Sequence, residues 1–432
     1  MDPVNTIVLV GTFVVLIALG TPIAVGIGLS AFVALLMTMD ISTATICVAQ
    51  RMAAGLDRFT LLAIPFFILS GQIMNRGGIA RRLIDFARGA VGMLPGGLAY
   101  VNIVAGLLFG AISGSAVAAA AGVGGFMVPR MKEQGYDASF SGAVNIASAT
   151  TSLIIPPSNI LIVYALAAGG VSIAALFVAG YLPGLLVGLL LMIVAGTIAM
   201  RRGYPVEAPV GLAELGRRFL AALPSMFLVV LVMGGIIAGW FTATEAGAVA
   251  VLYAFILAVV VYREVPLRAI PGVLVEASTT TAIVLLLISA SMAFSWVLAY
   301  ERIPELVVAA FAPFEGNTVV TLLIINVFLL AIGTVLDITP AVLIFTPVLL
   351  PLVTAVGVDP LHFGIVMVLN LCVGLCTPPV GTVLFVGCTV SGSSIAEVSR
   401  ALIPLYAAMV VALLLVTFFP ELALALPRWL GI

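Results

Sequence analysis

Two proline pairs interrupt apolar sequence of membrane-spanning length: Pro156 and Pro157 in SLIIPPSN, and Pro378 and Pro379 in LCTPPVG. Proline has no amide hydrogen and collides with the preceding turn, so a pair of them breaks a helix. In hydrocarbon, every backbone group freed by a break must find a partner in protein, water or a bound ion. Oxygen-bearing side chains flank both breaks: Thr150, Thr151, Ser152, Ser158 and Asn159 at the first, Thr377 and Thr382 at the second. One such pair could be a simple kink. Two in corresponding positions point to an ion or substrate site near the middle of a membrane, as broken helices do in transporters.

A second pair of segments precedes the breaks. GAISGSAVAAAAGVGG (110–125) carries Ser113 and Ser115 at its head, and IGTVLDITPAVLIFTP (332–347) carries Asp337 and Pro340 between apolar runs. Each reads as a hairpin or broken helix whose hydroxyls or carboxylate face the opposing Pro-Pro break. Hydroxyl and carbonyl oxygens with at most one carboxylate suit a hard monovalent cation such as Na⁺; zinc and calcium want softer ligands or more charge. Gly106, Gly110 and Gly114 also repeat every fourth residue, the pattern of close helix packing, and opposite faces of one segment can serve both purposes. Asp337, Glu245 and Glu276 are the carboxylates inside or at the lip of apolar runs, where charge is costly and usually functional. Glu245 in GWFTATEAGA has a structural explanation: Thr242 or Thr244 caps a helix start, and the carboxylate favours its positive end.

Other chemistries find little support. Cys47, Cys372, Cys376 and Cys388 lie in or beside apolar runs and form no disulfide framework. Cys372 and Cys376, four apart, lack further metal ligands and read as small packing residues. The single histidine, His362, would pair with Ser115 as a protease dyad only by an arbitrary fold. No GxxxxGK[ST] phosphate loop is present. The chain reads as a non-enzyme without an organic cofactor, and its net charge of −1 offers nothing to nucleic acid.

The elements that must position these groups are apolar helices. Of 432 residues, 63% are hydrophobic and 8% charged, with a mean hydropathy of +1.33, whereas soluble chains carry about 25% charged residues. That much apolar surface requires a bilayer. Apolar stretches run over 4–39, 59–75, 95–128, 140–200, 219–261, 272–300, 304–356, 361–390 and 401–430. Several exceed the about 20 residues of one crossing and must hold two crossings or a re-entrant piece; the first breaks at Gly20, Thr21 and Pro22. MDPVNTIVLV lacks a positive leader region and a cleavage site, so it reads as a first helix and not a signal peptide. The charged connectors, Arg76 to Arg88 and Arg201 to Arg218, belong at the membrane edges. Four arginines in 201–218 place that connector in the cytoplasm and both termini outside.

An odd number of crossings in each half then inverts the second half relative to the first. Pro129 and Pro351 are 222 residues apart, as are Pro156 and Pro378, and Gly142 and Gly364. Pro183 and Pro404 differ by 221, as do Thr21 and Thr242, and Gly26 and Gly247. The expected fold is an all-α polytopic membrane protein of two inverted repeats, 1–200 and 219–432, joined by the 201–218 connector into one transmembrane domain. Each repeat supplies a hairpin and a broken helix.

FGAISGSAVA (109–118), IIPPSN (154–159), GWFTATEAGAVAV (239–251), VLDITPAVLIFTPVLLPL (335–352) and NLCVGLCTPPVGTVLFV (370–386), in that order, resemble the large membrane subunit of TRAP transporters, the tripartite ATP-independent periplasmic transporters of bacteria and archaea. The likeness covers essentially the whole chain. It implies a Na⁺-driven secondary transporter in the cytoplasmic (inner) membrane with an elevator-type architecture. It also implies two protein partners, a small four-helix membrane subunit and a periplasmic substrate-binding protein. Expected substrates are organic acids: C4-dicarboxylates, sialic acid, other sugar acids and keto acids. Carried over by position, one Na⁺ site draws on Ser113 and Ser115 with backbone from Thr151 and Ser152 to Pro157. The other draws on Gly333, Asp337, Asn370 and Gly374 with backbone from Cys376 and Thr377 to Pro379. Substrate lies between the tips near Ser158, Asn159, Gly381 and Thr382. The chain departs from the family pattern at Ala116, where many relatives continue with a polar residue, and at Thr151 and Ser152, where small residues such as glycine are expected.

The expected function is therefore import of an organic acid coupled to Na⁺. A stand-alone dicarboxylate or citrate symporter is the alternative within transporters, and a non-transporting structural membrane protein the alternative outside them.

Overall fold

The computed structural model describes residues 3–311 and 317–432, and every regular element among them is helical. The chain opens with α1 (Pro3–Ala18) and α2 (Ile23–Leu36), parted at Gly20, Thr21 and Pro22 as the sequence suggests. Next come α3 (Ile41–Leu56), α4 (Ala63–Arg76) and the strongly amphipathic α5 (Ile79–Val91). A hairpin of α6 (Gly97–Ser113) and α7 (Ala116–Glu133) follows. Then α8 (Ala138–Thr150) stops in a short 3-10 turn over Thr151–Leu153, and α9 (Asn159–Ala168) resumes beyond the first proline pair. Short α10 (Ile173–Ala179) and long α11 (Tyr181–Arg201) complete the first half.

The second half begins with α12 (Leu212–Ile237), α13 (Ala243–Phe255) and the long α14 (Ile270–Tyr300), followed by α15 (Ile303–Ala310). The order hairpin then broken helix recurs: α16 (Thr318–Gly333) and α17 (Ile338–Ala355), then α18 (Pro360–Leu375) and α19 (Thr382–Ser391) around the second proline pair. The described chain ends with α20 (Ile395–Phe418) and α21 (Glu421–Leu430). Seven helical segments among the described residues are long and apolar enough to cross a membrane. The helices of the hairpins and breaks are mostly shorter, between 10 and 17 residues.

The glycine stripe on α6 explains how the first hairpin meets the first break. A Cβ at Gly106 would lie 3.1 Å from the Ser148 side chain, at Gly110 2.6 Å from Ser152 Oγ, and at Gly114 2.8 Å from the Pro157 carbonyl oxygen. The helix therefore lies directly on α8 and its continuation, as small-residue stripes allow. Glu245 takes the structural role expected of it: with Thr242 it forms a reciprocal capping box at the start of α13. Glu276 pairs with Arg76 across α14 and α4.

The connector is shorter than the charge run suggested, because Leu212–Arg218 already belong to α12. Its middle is clasped to the hairpin. Glu207 accepts from Arg88 at 2.8 Å, Arg130 at 3.4 Å and Gln134 at 3.2 Å, while its amide donates to Gly92 O at 2.9 Å. Tyr136 donates to Pro205 O at 3.0 Å and stacks on Tyr204 at 4.1 Å. Burial alone would push the Glu207 carboxyl up, but the Arg88 hydrogen bond, the two guanidinium charges and the Gln134 amide together hold it below the usual Glu range. A depressed folded-state value means the clasp contributes fully above the ordinary Glu pKa and is lost as pH falls through the lowered one. Glu207→Gln should therefore lower thermal stability at neutral pH, by about 1.5–3 kcal/mol for charge-assisted bonds. In unfolding scans against pH, the gap between wild type and variant should close in acid. A gap that persists unchanged through acid would contradict this role.

Candidate functional site

A cavity of ≈ 200 Å³ lies where the two hairpin tips meet the two breaks. Its lining includes Ser113 and Ser115 from the first tip, Asn159 from the restart of the first broken helix, Asp337 from the second tip and Thr382 from the restart of the second. Four helices therefore begin at this cavity: α7, α9, α17 and α19. Each helix start carries free amide hydrogens and the positive end of its dipole, so their convergence favours a negatively charged ligand. Further wall comes from α4, through Ile64, Ile68 and Gly71, from α14, through Thr280 and Val284, and from Leu153 and Leu375 at the two breaks.

On the first-half side the tip turns at Gly114, whose φ of +57° is left-handed, with no room for a Cβ beneath the Pro157 carbonyl. Ser115 caps α7, its Oγ accepting from the Ala118 amide at 3.3 Å. Ser113 Oγ donates weakly to Ser115 O at 3.5 Å, which leaves it free to engage a ligand. Behind the tip, Ser152 Oγ is buried without a hydrogen-bond partner, and so is Asn159 Oδ1. Thr151 and Ser158 are already satisfied, donating to Ser148 O and Leu153 O, each at 2.6 Å.

On the second-half side, Asp337 occupies a helix start without capping it. Asp40, Asp137 and Asp359 at other helix starts accept a nearby backbone amide. The Asp337 side chain instead reaches across, its Oδ1 accepting from Thr382 Oγ1 at 3.2 Å. The Val380 amide donates to Thr334 O at 3.1 Å and ties the break to the hairpin turn. Gly333 and Gly374 pack backbone to backbone: a Cβ on Gly374 would sit 2.5 Å from the Gly333 Cα. Asn370 donates to Asn326 O at 3.0 Å and Oδ1 at 2.9 Å, which leaves its own Oδ1 buried and unpartnered. Thr377 donates to Val373 O at 2.8 Å, and the Cys376 carbonyl accepts from the Tyr406 hydroxyl. Both proline pairs are joined by cis peptide bonds.

Of the residues singled out in the sequence, Ser113, Ser115, Asn159, Asp337 and Thr382 share the cavity. Thr151, Ser152, Pro157 and Ser158 lie outside its lining on the first-half side, as do Gly333, Asn370, Gly374, Cys376, Thr377, Pro379 and Gly381 on the second. Residues the sequence reading did not pick out also line it: Gln72 and Asn75 on α4 and Thr280 on α14. The signal for the first two was a pair of carboxamides three apart in the apolar 59–75 run, which places them on one helix face. His362 lies in a different cavity from Ser115 and bonds Val416 O at 2.8 Å. Cys372 and Cys376 are fully buried among apolar neighbours, as packing residues would be. Among the described residues no three His, Cys, Asp or Glu side chains cluster as metal ligands. The oxygen-bearing side chains gathered here are hydroxyls, carboxamides and one carboxylate, with no thiolate or imidazole of the kind zinc prefers.

Residues 10–422 match the family model of the tripartite ATP-independent periplasmic transporter, DctM component. The chain is 51% identical over 421 residues to the uncharacterized protein YgiK of Salmonella typhimurium, covering 98% of this chain and 97% of that one. It is 38% identical to the sialic acid TRAP transporter large permease protein SiaM of Vibrio cholerae, over 95% of both chains. It is 41% identical to the C4-dicarboxylate TRAP transporter large permease protein DctM of Pseudomonas aeruginosa, over 87% of this chain and 88% of that one. Among solved structures, the YdaH transporter of Alcanivorax borkumensis shares the fold, with a TM-score of 0.61 at 14% identity over 89% of this chain and 90% of that one.

Proposed function

The chain belongs to the DctM-component family of tripartite ATP-independent periplasmic transporters, a multi-pass membrane permease and not an enzyme, and from that premise we propose that it couples Na⁺ entry to import of an organic acid through the cavity between its two breaks. The observation that carries this reading is the convergence of four helix starts, with one carboxylate and a set of neutral oxygens, on one cavity. Moving an organic anion out of water is costly unless charge and hydrogen bonds replace its hydration. The helix starts and the carboxamides of Gln72 and Asn75 supply donors for the substrate. Na⁺ supplies the rest of the countercharge. It is cargo, held on one side by Ser113, Ser152 and first-break carbonyls, and on the other by Asp337, Asn370 and the carbonyls around Gly333, Gly374 and Cys376. Buried oxygens without partners at Ser152 and Asn370 support those two positions.

In this reading the two halves are inverted repeats. Each hairpin moves with its own broken helix as an elevator-type unit against the remaining helices, with 201–218 in the cytoplasm and both termini outside. The glycine contacts that lock each hairpin onto its own break support their moving as one unit. The family setting supports two partners, a small membrane subunit and a periplasmic binding protein that delivers the substrate. Candidate substrates are sialic acid, C4-dicarboxylates and related sugar or keto acids.

Na⁺ binding can be tested without knowing the substrate. A ligand that binds only the folded state stabilises it, by about 2.7 kcal/mol at a hundred times its Kd. The purified protein should melt at a higher temperature in NaCl than in KCl of equal ionic strength. Equal melting temperatures across the concentration range would sink the coupling proposal.

A further inference from the structure

A second cavity system lies on the opposite side of α4 from the site. Three adjoining hollows share lining residues: the upper two share Pro65 and Leu285, and the lower two share Phe66, Leu69 and Leu274. Their volumes are ≈ 350, ≈ 330 and ≈ 340 Å³ in that order. Together they form one crevice along the seam of α4 and α14, which ends at Ile73 and Ile270. Its walls are almost wholly apolar; Ser278 and Thr281 contribute the only hydroxyls among the described residues that line the lower two hollows. From Leu62 to Ile73 the crevice follows α4 for ~16 Å at the α-helical rise, which matches one leaflet, about half of a hydrocarbon core ~30 Å thick.

The crevice mouth is charged. Asp57 and Arg58 line the first hollow, both are exposed, and neither makes an ion pair among the described residues. Arg58 immediately precedes the candidate span Phe59–Arg76, and Thr244, near the start of the span Ala243–Val261, donates to Phe59 O at 3.4 Å. Two candidate spans thus begin beside this Asp–Arg pair.

We propose that the α4–α14 crevice is a phospholipid site: an acyl chain fills the apolar seam, a phosphate meets Arg58 and an ethanolamine ammonium meets Asp57. Adjacent, unpaired charges of opposite sign complement a zwitterionic head group, and a guanidinium suits phosphate by its forked donors. Ethanolamine can donate hydrogen bonds to Asp57, which choline cannot. The position gives the lipid consequences for transport. The same α4 presents Ile64, Ile68, Gly71, Gln72 and Asn75 to the substrate cavity and Pro65, Phe66, Leu69 and Ile73 to the crevice. A chain in the seam braces the wall against which substrate sits.

The test is native mass spectrometry of the full chain after detergent exchange from vesicles of phosphatidylethanolamine or phosphatidylcholine. Wild type should retain one phospholipid, with a preference for ethanolamine of about two- to fivefold, the range of an exposed charge pair. Arg58→Gln should lower retention of both lipids, and Asp57→Asn should erase the preference while leaving retention. Ala282→Trp, which fills the crevice from an exposed position, should expel the lipid. If that variant fails to fold, the two head-group variants still decide. Equal retention by wild type, Arg58→Gln and Ala282→Trp would overturn the proposal. So would disulfide capture of the small membrane subunit by a cysteine placed at Leu274, since a protein helix would then occupy the seam.

Discussion

Asp337→Asn is expected to lower Na⁺-driven uptake by about tenfold to a hundredfold, the equivalent of ~1.5–3 kcal/mol lost from one charge-assisted interaction. Asp337 is the only carboxylate lining the cavity among the described residues, and it sits at a helix start yet leaves that start uncapped. Its Oδ1 is committed to Thr382 on the facing break, so the side chain spans hairpin tip and broken helix. Asparagine keeps the size and can still accept from Thr382, so the fold should survive. What it removes is the negative charge that a cation would need. The loss should appear as a raised Na⁺ requirement with little change in melting temperature measured in KCl. Thr382→Ala should produce a smaller loss of the same kind. If Asp337→Asn transports with an unaltered Na⁺ dependence, the carboxylate has no part in coupling.

Gly374→Ala is expected to abolish transport and destabilise the protein by about 1–3 kcal/mol or more, the usual range for forcing atoms into a packed interior. The added Cβ would meet the Gly333 Cα, carbonyl carbon and oxygen at 2.5 to 2.6 Å. Those are backbone atoms, and no flexible side chain can swing aside. The strain must separate the second hairpin from its broken helix, the contact that positions Thr334, Asp337 and Thr382. Gly28→Ala provides the control, because a Cβ there meets only Ala290 Cβ at 3.8 Å, ordinary contact. Melting temperature and uptake should both fall for Gly374→Ala and neither for Gly28→Ala.

Which parts of this arrangement were legible in the sequence follows from the range over which each residue type acts. Proline acts on its own helix, so both breaks were readable, and so was the repeated order of hairpin and break. The stripe at Gly106, Gly110 and Gly114 was readable as packing, but its target was not: Ser148, Ser152 and Pro157 lie about 42 residues further on and meet it only through the turn of the hairpin. Hydroxyl residues were legible by type but not by partner: Thr151, Ser158 and Thr377 donate to Ser148 O, Leu153 O and Val373 O, local bonds that compete with other partners and that residue type alone does not reveal. Gln72 and Asn75 were missed for the converse reason, since a polar residue in an apolar run does not show whether its face meets lipid, protein or a cavity. The Thr242–Glu245 box was recoverable because both partners lie within one turn.

In the proposed cycle a Na⁺ gradient drives an organic acid through the cavity where the two breaks meet. It can be measured by uptake into proteoliposomes holding this chain with the proposed small membrane subunit, supplied with the proposed periplasmic binding protein and labelled sialic acid or a C4-dicarboxylate. An inward Na⁺ gradient should drive accumulation of one of these acids, and replacing Na⁺ by K⁺ or introducing Asp337→Asn should remove it. Accumulation that proceeds equally with the Na⁺ gradient dissipated would rule out coupling to Na⁺.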